Sequence, residues 1–166
     1  MIKQPNSHHC FICGVKNVSG VHVAFYNTID DEGVTEVLAR FTALDIHQGY
    51  PGRIHGGVAM GILDETIGRA INAEEAVAAE PTIWGVTMDF SMRFHQPVPL
   101  DVELRARGRI TRDTRRLFEG SGELYLPDGR VAISASGKYL KMGLDAISES
   151  ASTELGWRVY PDEVAR

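Results

Sequence analysis

Asp64 lies on a helical pattern whose other members along its face are glycines. Gly57, Gly61, Asp64 and Gly68 are spaced four, three and four residues apart, so on a helix they share one stripe. A glycine inside a helix costs about 1 kcal/mol relative to alanine. Three on one line imply that a ligand, a second subunit or a wrapped strand comes close to the backbone there. The i±3 and i±4 neighbours of Asp64 are Met60, Gly61, Ile67 and Gly68, none of which pairs with a carboxylate. Glu65 differs, because Arg69 follows it by four residues in the favourable order. Asp64 therefore reads as an acid in a partly apolar slot, with a raised pKa that suits a general base near neutral pH. The structural alternative is a carboxylate that ties down a loop backbone.

The start of the same helix supplies a second element. His55-Gly56-Gly57 follows the turn-rich run Gln48-Gly49-Tyr50-Pro51-Gly52. The first N–H groups of a helix lack internal partners and carry partial positive charge. Glycines leave those donors unshielded, so an oxygen that becomes negative in a transition state could be held there. Asp64 lies two turns further on, about 10 Å along the axis. His55 reads as a group that orients the loop, contacts substrate or caps the helix.

The elements that must position these groups follow from periodicity. Helical spacing runs from Gly56 to about Ala73. Strands are expected over Val21–Ile29, Val34–Phe41, 84–94, Asp101–Thr111, Leu117–Leu126 and Arg130–Met142. In 84–94, Trp84, Val86, Met88, Phe90, Met92 and Phe94 alternate with smaller or polar residues, which predicts one buried face and places Trp84, Met88 and Phe90 in the core. In the next strand Val102, Leu104, Ala106 and Ile110 are expected inward. One long helix against about six antiparallel strands is an α+β arrangement. Residues 1–142 form the expected domain. Residues 143–166 form a polar tail, with a short helix expected over Ile147–Leu155.

Length and charge restrict the function classes. The 166 residues fit one domain, and the formal net charge of -5 argues against general binding to nucleic acid or to an anionic membrane. No apolar run is long enough for a membrane helix, and the first seventeen residues lack a secretion signal. A cytoplasmic location is expected. Cys10 and Cys13 read as two reduced thiols in an N-terminal loop. A zinc site is disfavoured because His9 and Cys10 are adjacent and no second pair of cysteines follows, and a dithiol redox site because such sites usually open a helix after a strand and no strand is expected before this one.

His55-Gly56-Gly57, followed after six residues by Asp64-Glu65, resembles the central-helix motif of hotdog-fold acyl-CoA thioesterases, closest to the phenylacetate-pathway and THEM-type enzymes. Gln48 to Gly57 is similar to the loop before that helix, and Cys10-Phe11-Ile12-Cys13-Gly14 to an N-terminal element of many such chains. The resemblance implies a hotdog fold, a long central helix wrapped by a curved sheet. It also implies hydrolysis of an acyl-CoA without metal or cofactor. It places the catalytic carboxylate at Asp64, as general base or nucleophile, and the carbonyl-polarising N–H at Gly57. Thr87 matches the position of a helper hydroxyl. Many members carry an Asn six residues before the His, where this chain has Gly49, which leaves Gln48 as the candidate water-positioning group. Gly56 joins the substrate-binding set. Arg105, Arg107 and Arg109 share a strand face suited to the phosphates of coenzyme A, or are simply a solvated face. The resemblance further implies sites between subunits of a homodimer or homotetramer. The alternative function is a non-catalytic acyl-CoA binder or regulator. The His/Glu and Asp-x-Asn-Pro-x-x-His patterns of hotdog dehydratases are absent, and His47 stands too far ahead of Glu65 to supply the first.

Overall fold

The structure, a computed structural model, describes residues 1–73, 81–149 and 154–161. Seven strands form one sheet: β1 Ile2–Lys3, β2 Ala24–Ile29, β3 Thr35–Thr42, β4 Trp84–Phe94, β5 Glu103–Asp113, β6 Leu117–Tyr125 and β7 Val131–Met142. Their order is β1-β2-β3-β5-β6-β7-β4, and every neighbouring pair is antiparallel. Helix α1, Gly56–Gly68, continues as a tighter 3-10 turn over Arg69–Asn72. It touches strands β3 to β7 on one face of the sheet. This is the hotdog arrangement, with one strand more than periodicity showed. The extra strand, β1, is two residues long, too short to carry a pattern.

The core lies between α1 and the inner sheet face. Ile62, Leu63 and Ile67 of α1 are buried against Leu104, Ala106, Phe118, Leu124 and Ile133 of the sheet. Burying side chains of this size contributes roughly 1.5–3 kcal/mol each. The helix sits very close to the strands because β5 and β6 present glycines beneath Ile67. A Cβ on Gly120 would lie 2.5 Å from Ile67 Cγ2, and one on Gly108 only 2.8 Å from the Thr66 carbonyl oxygen. Arg105, Arg107 and Arg109 point from the other face of β5.

The expected strict alternation in β4 does not hold. A bulge between Thr87 and Asp89 breaks the register with β7, and an extra residue in one strand reverses which side later side chains face. Gly85 and Thr87 before the bulge point at the helix, and Phe90, Met92 and Phe94 after it do so. Met88, expected in the core, is 58% exposed, and Trp84 and Phe90 are only partly buried. Among the described residues β4 pairs with β7 alone and forms an edge of the sheet. Val102, expected inward, precedes β5 and is exposed.

The part of the tail that is described packs back on the domain. Asn6 and Arg158 form a bridge, and the His8 N–H bonds the Leu155 carbonyl at 2.8 Å. A short helix, α2, covers Leu144–Ile147, earlier than the expected Ile147–Leu155, of which residues 150–153 lie outside the described residues. No described helix is long and apolar enough to cross a membrane.

Candidate active site

Asp64 sits two-thirds of the way along α1 and reaches toward β4, where Thr87 meets it. The Thr87 hydroxyl lies 2.9 and 3.0 Å from the two carboxylate oxygens of Asp64. The Tyr139 hydroxyl donates to the Asp64 backbone carbonyl at 3.2 Å, which ties the helix to β7. Asp64 is half-buried. Burial raises its pKa above the ordinary aspartate value, the nearby hydroxyls of Thr87 and Tyr139 oppose that rise, and the Glu65 charge adds to it. Thr87 supplies a donor but no charge, so the carboxylate keeps a demand for a proton.

A cavity of about 330 Å³ opens beside this pair. Its walls combine aromatic rings (Trp84, Tyr139 and Trp157), the small Gly61 and Gly68, the aliphatic Ile12, and polar groups that include Asn72 and Glu65. The glycine stripe therefore serves close approach. Gly61 faces Ile12 of the N-terminal loop, with Ile12 Cδ1 2.9 Å from where a Cβ would stand, and Gly68 faces the Tyr139 ring. In the cavity wall itself, Arg69 gives Glu65 Oε1 two bonds of 3.0 and 2.7 Å, and also donates to Gln4 Oε1 and the Pro5 carbonyl. Its guanidinium lies between the rings of Phe25 and Trp157, 4.1 and 4.7 Å from their centroids. The expected Glu65–Arg69 pair is present, but its arginine is buried.

The start of the helix is built differently from a bare anion cradle. His55 caps α1, its Nδ1 accepting the Gly57 N–H at 2.9 Å. The amide assigned to the substrate carbonyl is thus held by a side chain. His55 itself is exposed and positioned by its own N–H, which bonds the His47 carbonyl at 2.8 Å. His47 is buried, with Nδ1 accepting from the Leu44 N–H and Nε2 bonding the Ser19 carbonyl. It fixes the loop rather than contributing chemistry. A Cβ on Gly49, the position of the family's Asn, would meet the His55 ring and Cα at 3.2 Å. Gln48 turns back on its own loop and accepts from the Gly52 N–H at 3.3 Å. Gly56 packs beneath the Phe94 ring.

Within one chain the expected site residues thus form two groups. Asp64 and Thr87 meet at the cavity. Gly56, Gly57 and His55 form the other group at the helix start, with Gln48 in the loop before it. The arginine trio joins neither, because it lies across the sheet from Asp64. Arg109 forms a two-bond pair with Glu123 at 2.9 and 2.7 Å, Arg107 pairs with Glu36, and Arg105 with Glu103 at 3.6 Å. Each arginine of the face on which phosphate contacts were expected thus has a carboxylate partner. Trp157 and Tyr139 were missed by sequence reasoning. Trp157 belongs to a polar tail without periodicity, and nothing local to Tyr139 points to Asp64.

The sequence model of the thioesterase superfamily matches residues 51–133, half of the chain. No curated protein sequence matches it. Among solved structures, a thioesterase superfamily protein is 27% identical, with a TM-score of 0.64 over 80% of this chain. The alignment covers 63% of that relative, so this chain spans less than two-thirds of its length. Zebra fish thioesterase superfamily member 2 shares the fold at 16% identity and TM-score 0.61, covering 75% of this chain and 86% of its own. A hypothetical thioesterase protein of Streptococcus pneumoniae TIGR4, solved with coenzyme A, does so at 19% identity and TM-score 0.60, over 73% and 89%. With its central helix, its wrapped sheet and this match from the helix-leading loop to β7, the chain belongs to the thioesterase superfamily.

Proposed function

We propose that this protein hydrolyses an acyl-CoA thioester to the free acid and coenzyme A. The observation that carries this reading is Asp64: a half-buried carboxylate with raised pKa, bonded by the Thr87 hydroxyl and facing a partly aromatic cavity. Superfamily membership and the coenzyme A bound by the Streptococcus pneumoniae relative support it. In the reaction, Asp64 takes a proton from water as the water oxygen bonds the thioester carbon. The carbonyl oxygen becomes negative, the carbon–sulfur bond then breaks, and coenzyme A leaves as its thiolate. Attack by Asp64 itself, through an anhydride that water opens, uses the same geometry.

The oxyanion donors are the amides at the start of α1, chiefly Gly57, with the substrate oxygen replacing His55 Nδ1 as acceptor. Two copies resolve the separation between that start and Asp64. The sheet edge formed by β4 can pair with a second β4 about a two-fold axis, which runs the two central helices antiparallel. Gly57 of the partner subunit then approaches Asp64, and each homodimer holds two composite sites. Phe94, 56% exposed above Gly56, is covered in such a dimer.

The test is a panel of acyl-CoAs of increasing acyl size, with released thiol as the readout. Turnover of the smaller members supports hydrolysis. Saturable binding without thiol release selects the non-catalytic binder, which the occupied Gly57 amide would favour.

A further inference from the structure

The proposed hydrolysis leaves Cys10 and Cys13 without a role, and their surroundings are unlike those of two resting thiols. They bracket one helical turn, closed by the Gly14 N–H on the Cys10 carbonyl at 2.9 Å. Side chains three apart on such a turn have Cβ atoms about 5–6 Å apart, a short adjustment from the span of a disulfide. Both sulfurs and a Glu65 carboxylate oxygen lie within 4.8 Å of one another. The two thiols differ. Cys10 is partly exposed, and its Sγ receives the N–H groups of Ile12 and Cys13 at 3.3 and 3.5 Å. Cys13 is 1% exposed and lies beside the Ser7 hydroxyl at 3.4 Å. The bond between the two thiols pulls the Cys10 pKa down, against burial and the nearby Glu65 charge, and the same bond together with burial pushes the Cys13 pKa up. A partly exposed thiol with a lowered pKa, backed by a sequestered second thiol, is the arrangement that disulfide exchange requires.

We infer that Cys10 and Cys13 form a thiol–disulfide exchange site for a small aliphatic disulfide, and that its oxidation state sets the shape of the Asp64 cavity. The Cys10 thiolate attacks one sulfur of the external disulfide, whose S–S bond breaks as a mixed disulfide forms. The leaving thiolate takes a proton from water. Cys13 then attacks Cys10 Sγ as its proton passes to the departing sulfur, the mixed disulfide bond breaks, and the second small thiol is released. Two protein thiols are oxidised by two electrons, and one external disulfide is reduced to two thiols.

The link to the cavity is Ile12, which lies between the two cysteines. Its side chain presses on Gly61 of α1 and forms part of the cavity wall. Cys10 also donates its S–H to Glu65 Oε2 at 3.2 Å, next to Asp64 in the chain. Oxidation removes that donor and tightens the turn that carries Ile12. A thiophilic cation could also use Cys10, Cys13 and Glu65, but the Arg69 guanidinium on the other Glu65 oxygen already supplies positive charge there.

The experiment treats the reduced full-length protein with glutathione disulfide, then alkylates it and reads its mass. Both tryptophans, Trp84 and Trp157, line the cavity, so their emission is followed in parallel. The expected result is loss of both alkylatable thiols with no glutathione retained, and an emission shift that dithiothreitol reverses. Cys13→Ser should stop with one glutathione on Cys10, and Cys10→Ser should leave Cys13 unreacted. Survival of both thiols in the unmutated chain, a Cys13→Ser protein that acquires no glutathione, or one zinc per chain as purified overturns the exchange site. Unchanged emission after complete oxidation overturns the link to the cavity. Neither readout involves acyl-CoA, so failure here is separable from failure of the hydrolase reading.

Discussion

Replacing Asp64 with asparagine keeps the shape of the side chain and removes its charge and basicity. General-base catalysis contributes about 10²–10⁴-fold, so kcat should fall by that factor, about 2.7–5.4 kcal/mol of barrier at 1.36 kcal/mol per tenfold. The fold should not suffer. The amide oxygen of the substituted side chain still accepts the Thr87 hydroxyl, and exchanging a bond to a charged group for a neutral one costs about 1 kcal/mol. Against that stands relief from holding a charge in a half-buried slot with no cationic partner among its described contacts. The net effect is a Tm unchanged or raised by a few degrees, since about 1 kcal/mol moves a domain of this size by about 2–4 °C. The sign can be checked against pH. Burial makes the folded chain hold the Asp64 proton to a higher pH than the unfolded chain does. Between the ordinary and the raised pKa the folded state binds more protons, so this group's contribution to stability declines as pH rises. In Asp64→Asn that decline should vanish from a series of melts across the window. Steady-state thiol release and differential scanning fluorimetry supply the two numbers. Hydrolysis within tenfold of the unmutated rate, at an unaltered Tm, would refute Asp64 as base or nucleophile.

Thr87→Val removes the hydroxyl that holds both carboxylate oxygens. The Asp64 pKa should rise further, and the acidic limb of the kcat/KM profile should move to higher pH; an unmoved limb would separate Thr87 from the reaction. Trp157→Ala opens a cavity wall and takes one ring from Arg69, a cation–π contact of about 0.5–2 kcal/mol. KM for compact acyl groups should rise by about tenfold, while bulkier ones lose less, as a KM series over the acyl panel would show. Phe94→Asp puts a charge where the two β4 edges would meet. Sedimentation should show a monomer, and hydrolysis should be lost along with the dimer; an active monomer would reject the composite site.

The sequence made the helix, six of the seven strands and the isolation of Asp64 legible because each is local. Helical spacing and alternation need only a short window of residues, and the absence of an i±4 partner for Asp64 is read along one helix. The arginine trio shows the limit of that reasoning. The three share a face as the alternation predicts, but the carboxylates paired with two of them, Glu36 and Glu123, come from other strands and depend on sheet register. Trp157 was hidden for the same reason: it reaches the cavity from a segment far beyond Asp64 in the chain.

The bulge in β4 is the more instructive case, because the pattern there was strong and still misled. Val86, Met88 and Phe90 are all apolar, so the alternation runs through the irregularity without a break. Hydrophobicity alone gives no reason to suspect that the even residues change sides. On that unbroken pleat, Thr87 would face away from α1. The bulge removes Met88 from the pairing and leaves it exposed. Gly85 and Thr87 then share the helix side with Phe90 and Met92. Gly85 matters as much as Thr87, since a Cβ there would come within 2.7 Å of the Phe118 ring and push the strand off the core. The hydroxyl beside Asp64 thus depends on a pairing defect and on a missing side chain two residues earlier. Strand irregularities tend to occur where a side chain must be re-aimed at a site. Here the re-aimed side chain is the one whose proton reaches the half-buried acid.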